Sequence, residues 1–257
     1  MGEFCRVEKE GRLTIVTIER PDVMNALHPP GNFELAEAFD DFAADPEQWV
    51  AIITGAGDRA FSAGNDLKYQ ASGGKMGGPK SGFAGLTARF DNSKPVIAAV
   101  NGLAMGGGFE IALACDLIIA SENAIFALPE PRVGLAALAG GIHRLPREIG
   151  MKQAMSMLLT GRRVPAVEGQ QLGFVNEVVP QGQALTAAKQ WAVQILECAP
   201  ISVRASKEAA MQGMAAESLE AAIKGRYDQI AALYASEDFI EGPRAFSEKR
   251  APNWKGR

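Results

Sequence analysis

The sequence predicts a mixed α/β fold. In the first half of the chain, short runs of β-branched and apolar residues alternate with segments whose apolar side chains recur at helical spacing, as in VAIITG (50–55) after GNFELAEAFDDFAA (31–44). The chain has 257 residues, of which 47% are hydrophobic and 22% charged, so it is long and apolar enough to bury a core. These observations exclude a disordered or fibrous protein.

The first half of the chain is predicted to open with a hairpin. CRVEKE (5–10) and LTIVTIE (13–19) flank Gly11-Arg12 and have the alternation and β-branched content of paired strands. The helix over 31–44 and the buried strand over 50–55 come next, and the turn residues GAGD end that strand. We then predict a buried strand in KPVIAAVNG (94–102), a helix over 106–115, and short strands in LIIAS (117–121) and AIFALP (124–129).

From about residue 139 the pattern becomes helical. Helices are predicted in HRLPREIG, KQAMSMLLTG, AVEGQQLG and ALTAAKQWAVQILECA, interrupted only by the strand-like FVNEVV (174–179), and three more helical stretches are predicted between residues 200 and 250. We therefore predict one catalytic domain over residues 1–197, followed by a helical region over residues 198–257. The Gly-rich segment SGGKMGGPKSG (72–82) is expected to form a mobile surface loop that borders a site.

Composition excludes several classes of partner. Lys and Arg total 26 against 30 Asp and Glu, a net charge of −4, so the chain lacks the basic excess that nucleic-acid binding requires. Its two His and three Cys are scattered and have no metal-binding spacing, so no structural metal and no disulfide framework are expected.

The apolar stretch 95–120 is long enough to span a membrane, but Asn101, Glu110 and Asp116 interrupt it, and we expect it to be buried core. The N-terminus carries charges where a signal peptide has its apolar run. A cytoplasmic protein with reduced cysteines and no membrane partner is therefore expected.

Three familiar motifs are only partly present. GGKMGGPKS has Pro79 where a phosphate-binding loop needs its second Gly, and AMGGGFE lacks the spacing of a dinucleotide site. FSAG resembles half of a nucleophile elbow, but Ala60 replaces the leading Gly. A Ser hydrolase stays open as an alternative.

A Gly-rich turn, NGLAMGGGFE (101–110), is predicted to lead from a strand into a helix. Its glycines could expose backbone N–H groups at the helix start and stabilise an oxyanion, or they could only allow close helix packing, and spacing alone does not decide between the two.

Glu110 lies in the first turn of that helix, where a capping role is the alternative. Glu130 stands between two prolines after a strand, where a solvated charge is the alternative. If the fold brings the two carboxylates together, they can act as general acid and base.

Five blocks together resemble the crotonase family, also called the enoyl-CoA hydratase/isomerase family, over essentially the whole chain. They are RPDVMNAL (20–27), AIITGAGDRAFSAGNDLK (51–68), KPVIAAVNGLAMGGGFEIALACD (94–116), ALPEPRVGL (127–135) and SEDFIEGPRAFSEKRAPNWKGR (236–257). The last block, FSAGNDLK and GGGFE are most similar to the branch that interconverts crotonobetainyl-CoA and carnitinyl-CoA. The resemblance implies a spiral of repeated β-β-α units, a C-terminal helical trimerisation region, and trimers that often pair into hexamers.

The resemblance also implies the chemistry of the site. The substrate would be an acyl-CoA thioester whose oxyanion is held by the backbone N–H groups of Asn65 and Gly107. Glu110 and Glu130 match the two glutamates of the hydratases, and the presence of both favours addition or removal of water. No cofactor and no metal are implied, because coenzyme A is part of the substrate.

The implied contacts of coenzyme A and its acyl group come from five segments. Pro129 and Leu135 would flank the acyl group, whose pocket is expected to differ because Ala136-Ala137-Leu138 replaces the usual Pro of the family. Phe246 and Lys249 would reach the nucleotide across a subunit boundary; taken alone, a core position for Phe246 and a solvated charge at Lys249 are the alternatives. The remaining implied contacts are Met24, Ala26, Ala63, Asp66, Leu67 and Gly106.

Other functions remain open for the same fold. Within the family, an isomerase or an acyl-CoA hydrolase could use the same oxyanion hole. From another class, a non-catalytic acyl-CoA-binding or RNA-binding relative would keep the fold without the chemistry, although the two glutamates and the acidic balance count against it.

Overall fold

Strands and helices alternate along residues 2–257, which a computed structural model of the chain describes. The strands are β1 (Cys5–Glu10), β2 (Leu13–Ile18), β3 (Val50–Gly55), β4 (Ala60–Ser62), β5 (Val96–Val100), β6 (Leu103–Met105), β7 (Leu117–Ser121), β8 (Ile125–Ala127), β9 (Val164–Pro165) and β10 (Glu177–Val179). The helices are α1 (Pro29–Ala44), α2 (Leu67–Ala71), α3 (Gly107–Ala114), α4 (Gly141–Ile149), α5 (Met151–Thr160), α6 (Ala166–Leu172), α7 (Ala184–Leu196), α8 (Pro200–Gly213), α9 (Leu219–Ile223), α10 (Asp228–Ala235) and α11 (Glu237–Glu248). Short 3-10 turns occupy Pro21–Val23, Phe83–Gly85 and Glu130–Val133.

The first half of the chain repeats a β-β-α unit. The units are β1-β2-α1, β3-β4-α2, β5-β6-α3 and β7-β8 followed by α4. From the second unit onward, the first strand of each unit joins a six-stranded sheet of order β1-β2-β3-β5-β7-β10, and the second joins a four-stranded sheet of order β4-β6-β8-β9. Neighbouring strands are parallel except at β1-β2 and β8-β9. The predicted α/β class and the spiral of β-β-α units are confirmed.

The central strands β2, β3, β5 and β7 of the six-stranded sheet are buried on both faces, as their near-continuous apolar sequences predict. On one face, Ile52, Ile97 and Ile119 pack in one cluster with the alanines of α7. On the other, Ile53 and Val100 pack in a cluster that includes residues of α1, α3 and the second sheet. Since side chains alternate along a strand, the two clusters take alternate residues of the same strands. One face of the sheet is therefore covered by α7, and the other by α1, α3 and the second sheet.

The C-terminal helices number four, so the prediction of three helical stretches between residues 200 and 250 is wrong. Ser218 caps α9, its Oγ accepting from the Ala221 N–H (3.1 Å), and Gly225-Arg226 separates this five-residue helix from α10. A helix this short has no apolar period to read in the sequence.

Contacts from α8 attach the C-terminal region to the segments before β5 and β7, and the tail is bonded to α11. Lys207 on α8 donates to the carboxylate of Asp116 (2.8 Å) and to the carbonyl of Lys94 (2.9 Å). The buried carboxylate of Asp238, in the first turn of α11, accepts the N–H groups of Lys255 (2.7 Å) and Gly256 (2.9 Å), which lie beyond that helix. The chain end is thus bonded to the start of α11.

Three short strands were not predicted. β4, β6 and β9 have only two or three residues each, too few for the alternation that identifies a strand. The predicted passage from strand to helix at 101–110 in fact contains β6, which lies between β5 and α3. The segment FVNEVV forms a strand only over its last three residues, β10.

The apolar stretch 95–120 is divided among β5, β6, α3 and β7, and most of it is buried, as predicted. No helix within residues 2–257 is long and apolar enough to cross a membrane. Across the same residues, no group of three or more His, Cys, Asp or Glu side chains is placed to hold a metal ion.

Candidate active site

Two turns of the chain meet at the N-terminal end of α3. Residues 63–65 follow β4, and residues 105–107 join β6 to α3. Gly64 has a φ of +82°, and a Cβ on it would lie 2.5 Å from the carbonyl oxygen of Met105 and 2.7 Å from the amide nitrogen of Gly107. The turns approach this closely because residue 64 has no side chain.

These turns carry two backbone N–H groups, of Asn65 and Gly107, that have no hydrogen-bond acceptor within residues 2–257. Asn65 forms a parallel bridge with Leu27, in which the Leu27 N–H donates to Gly64 (2.7 Å) and the Asp66 N–H donates to Leu27 (2.9 Å). Successive N–H groups of an extended segment point to opposite edges, so that of Asn65 points away from Leu27. The N–H of Gly107 is unpaired because it begins a helix. Adjoining unpaired donors are what an oxyanion hole needs.

Glu110 lies one turn into α3 and is 3% exposed. Its Oε1 accepts the N–H of Gly141, the first residue of α4, at 2.9 Å. Burial raises the pKa of Glu110 to about 7, and the charge of Glu130 acts in the same direction, while hydrogen bonds from Gly141 and Ala139 and the charge of Arg144 oppose the rise. A carboxyl group with such a pKa can both accept and donate a proton near neutral pH.

Glu130 approaches the same helix start from another segment. It begins the 3-10 turn Glu130–Val133 after β8, and a Cβ on Gly106 would lie 2.9 Å from its Oε1. Its Oε2 is buried and has no hydrogen-bond partner within residues 2–257. Burial raises the pKa of Glu130 above its ordinary value. The structure therefore brings Glu110 and Glu130 to the first turn of one helix from separate elements, which spacing alone did not establish.

The residues implied to contact coenzyme A lie mostly on the segments next to this helix start. Met24 has a φ of +57°, and its carbonyl accepts the Ala63 N–H (2.9 Å). Ala26 is buried, and its carbonyl accepts from Arg20. Asp66 forms an ion pair with Arg20 (3.0 Å) and caps α2. Leu67 follows it, with 46% of its surface exposed.

The predicted contacts from the later segments are more dispersed. Pro129 directly precedes Glu130 and is half-buried, and Leu135 is 43% exposed. Phe246 and Lys249 lie at the end of α11, which contacts α10, and within one chain neither joins the group around Gly107. Phe246 is 87% exposed, so the alternative of a core position is wrong.

Sequence reasoning missed Phe83. A Cβ on Gly107 would lie 2.6 Å from Cε1 of this ring, so Phe83 covers one side of the unpaired N–H of Gly107. The ring is held in place because the Phe83 N–H donates to Thr87 Oγ1 (2.8 Å) and the Ala84 N–H donates to the buried Asn32 (2.7 Å). The loop 72–82 leads directly into this turn and has no helix or strand. Only tertiary contact relates Phe83 to Gly107, so no sequence signal could have identified it.

Fold and site define a known class of protein. The chain belongs to the enoyl-CoA hydratase/isomerase family, whose model matches residues 8–257. It is 44% identical to the carnitinyl-CoA dehydratase of Salmonella typhi, covering 100% of both chains. Among solved structures, an enoyl-CoA hydratase of Mycobacterium tuberculosis matches with a TM-score of 0.92 and 37% identity, and a carnitinyl-CoA hydratase of Mycobacterium avium matches with a TM-score of 0.79 and 41% identity, each over 100% of both chains.

Proposed function

We propose that the protein adds water to a 2-enoyl-CoA thioester and removes it from the corresponding 3-hydroxyacyl-CoA. The observation that carries this proposal is the convergence of Glu110 and Glu130 on the helix start where Asn65 and Gly107 leave two N–H groups unpaired. An isomerase or a thioester hydrolase could use the same N–H pair, but the paired carboxylates suit the two proton transfers of hydration.

In the hydration direction, the thioester carbonyl oxygen accepts both N–H groups. One carboxylate takes a proton from water as the water oxygen bonds to C3, and the π electrons of the double bond move to form an enolate whose charge lies on the carbonyl oxygen. The other group, as the carboxylic acid, then gives its proton to C2. Dehydration follows the same steps in reverse.

This reaction needs neither a metal nor a redox cofactor, because no electrons leave the substrate and the N–H pair at the α3 dipole stabilises the oxyanion. Coenzyme A enters only as part of the substrate. We propose that Met24, Ala26, Ala63, Asp66, Leu67 and Gly106 contact the thioester on one side, and that Pro129 and Leu135 flank the acyl group.

Crotonobetainyl-CoA and carnitinyl-CoA are the proposed substrate pair. The full-length similarity to proteins named carnitinyl-CoA dehydratase and carnitinyl-CoA hydratase supports this choice over other acyl groups. The acyl group would then carry a quaternary ammonium, and its charge is the property to test.

We further propose that residues 1–197 form the catalytic domain and that residues 198–257 form a helical region through which the chain assembles into trimers or hexamers. Exposed apolar side chains in this region, Leu219 (76%), Ile223 (74%) and Tyr234 (67%), support the proposal, since surfaces of this kind are commonly covered by a partner. A second subunit would bring Phe246 and Lys249 to the nucleotide. The proposed location is the cytoplasm, which suits three free cysteines.

The test is to incubate the purified protein with crotonyl-CoA, crotonobetainyl-CoA and the neutral tert-butyl analogue, in which carbon replaces the quaternary nitrogen, and to follow the addition of water by mass spectrometry. We expect hydration to fall by roughly 10²–10⁴-fold in Glu110→Gln and in Glu130→Gln, as for loss of a general acid or base. Glu217→Gln, an exposed glutamate of the same chain, is the matched control and should keep full activity.

Each contrary result has a separate meaning. A faster reaction of the neutral analogue than of crotonobetainyl-CoA would contradict the carnitinyl assignment. No water gain on any of the three thioesters, with the protein folded, would contradict hydration of these substrates. Release of free thiol or migration of the double bond would then favour the hydrolase or the isomerase.

A further inference from the structure

Arg144 on α4 is a cation that packs against the turn holding Glu110. This turn is Gly140-Gly141, and its second N–H donates to Glu110 Oε1 (2.9 Å). The Arg144 N–H donates to the carbonyl of Gly140 (2.8 Å). Gly140 has a φ of +109°, and a Cβ there would overlap Nη1 of Arg144, so the guanidinium fills the space of the missing side chain.

The Arg144 side chain is half-buried, and its guanidinium has no ion-pair partner within 4 Å in residues 2–257. It lies over the ring of Phe90, 5.6 Å from the centroid. The titratable groups that act on it are Glu148, one turn further along α4, Cys115 at the end of α3, and Glu110. Its charge is therefore not cancelled by a contact pair.

The charged groups that act on Glu110 are Glu130 and Arg144. They have opposite signs, so Glu130 favours the neutral acid and Arg144 favours the carboxylate. Burial also favours the neutral acid. Arg144 is thus the charge that opposes both effects.

We propose that Arg144 is a positioning residue for Glu110: its side chain fixes the Gly140-Gly141 turn that binds the carboxylate, and its guanidinium places a positive charge against that turn. This inference rests on the proposed function for its meaning in catalysis, because Glu110 must change protonation state during turnover. The effect of the Arg144 side chain on Glu110 does not itself depend on that function.

The coupling is tested by titrating the Glu110 carboxyl directly. The full-length protein is labelled with glutamate carrying ¹³C at the side-chain carboxyl, and the Glu110 signal is identified by its absence in Glu110→Gln. Arg144→Met should raise the midpoint of the Glu110 titration, as expected for loss of an opposite charge. Arg144→Lys keeps the charge and should leave the midpoint near that of the wild type.

Two further variants give a control and a second removal of the charge. Arg147→Met removes the same charge from the exposed side of the same helix and should leave the midpoint unchanged. Arg144→Gln removes the charge but keeps a polar side chain at the turn, so it should raise the midpoint as Arg144→Met does. An unchanged midpoint in a folded Arg144→Met protein overturns the proposal; if that variant does not fold, an unchanged midpoint in Arg144→Gln does so.

The pH dependence of turnover then separates this inference from the proposed function. A purely structural role of Arg144 would lower kcat at every pH without moving the profile. If the midpoint moves and the pH profile of kcat moves with it, both the positioning role of Arg144 and the proposed role of Glu110 in hydration are supported. If the midpoint moves while the profile stays, Glu110 is not the titrating catalytic group, and only its proposed role in hydration fails.

Discussion

The carboxyl group of Glu110 is folded into surroundings that favour its neutral form. Its pKa rises from 4.5 to about 7, chiefly by burial. The native state therefore binds more protons than the unfolded chain between these two values, and this contribution to stability is present below pH 4.5 and is lost as the pH rises through about 7. A buried carboxyl group whose ionisation destabilises the fold in this way is typical of a functional site.

We expect Glu110→Gln to remove this pH dependence. Gln keeps an oxygen that can accept the Gly141 N–H but cannot ionise, so above pH 7 the variant should be more stable than the wild type, by up to roughly 3 kcal/mol at 1.36 kcal/mol per pH unit. Urea unfolding at a series of pH values measures the difference. A constant difference in unfolding free energy across the series would contradict the assigned pKa.

A second residue with a testable role is Gly64, where two turns of the chain approach closely. Gly64→Ala places a Cβ 2.5 Å from the Met105 carbonyl and 2.7 Å from the Gly107 nitrogen, so the two turns must separate and the N–H pair loses its geometry. We expect turnover to fall by roughly 10²-fold or more, as for removal of one oxyanion-hole donor.

The control for this variant is Gly182→Ala. Gly182 has a φ of +81° against +82° for Gly64, but no atom lies within 4 Å of the added Cβ. The backbone cost, about 1–2 kcal/mol, is therefore common to both variants, while the clash belongs to Gly64 alone. Equal kcat values in the two variants would show that the approach of the turns is unimportant.

At the scale of elements, the docking of α8 depends on a half-buried ion pair. Lys207 donates to Asp116 (2.8 Å), which also accepts the Val96 N–H (2.8 Å) at the start of β5. Lys207→Met leaves this carboxylate without its cation, and we expect a loss of roughly 1–3 kcal/mol in unfolding free energy, measured by urea denaturation. Lys224→Met breaks an exposed pair with Glu220 on α9 and should cost no more than about 0.5 kcal/mol. Similar losses of unfolding free energy in Lys207→Met and Lys224→Met would show that the Lys207–Asp116 pair contributes no more than an exposed pair.

Elements with a readable period were predictable, and contacts between them were not. β3, β7 and α1 were found within two residues of their predicted bounds, because each has a strand or helix period over at least five residues. β4, β6 and β9 were missed because they are short and are strands only by virtue of their neighbours in the second sheet.

The candidate site was likewise predictable only in part. Glu110 and Gly107 were identifiable from a Gly-rich turn and a family resemblance, and both lie where a helix start was predicted. Phe83 and Arg144 contact the site from a loop and from a helix whose partners only the folded chain selects. Their roles were outside the reach of any pattern in the sequence.

At the scale of the whole molecule, the exposed apolar side chains of the C-terminal region predict assembly. For a chain of 27.3 kDa, light scattering should give about 82 kDa for a trimer or about 164 kDa for a hexamer, as 3 and 6 times the chain mass. Tyr234→Glu places a charge where a partner is expected and should shift the mass toward that of a single chain. A single-chain mass for the wild type would contradict the assembly.

The division of the repeat between two sheets has a consequence for how such a protein can change over evolutionary time. Strand pairing holds the ends of β4, β6 and β8, and these ends carry Asn65, Gly107 and Glu130. The loop 72–82 and the Phe83 turn lie outside both sheets, between α2 and β5. Insertions or deletions there would alter the wall beside Gly107 at a small entropic cost and leave the register of every strand intact. New acyl groups could thus be accepted through a variable loop, while the inherited chemistry stays in place.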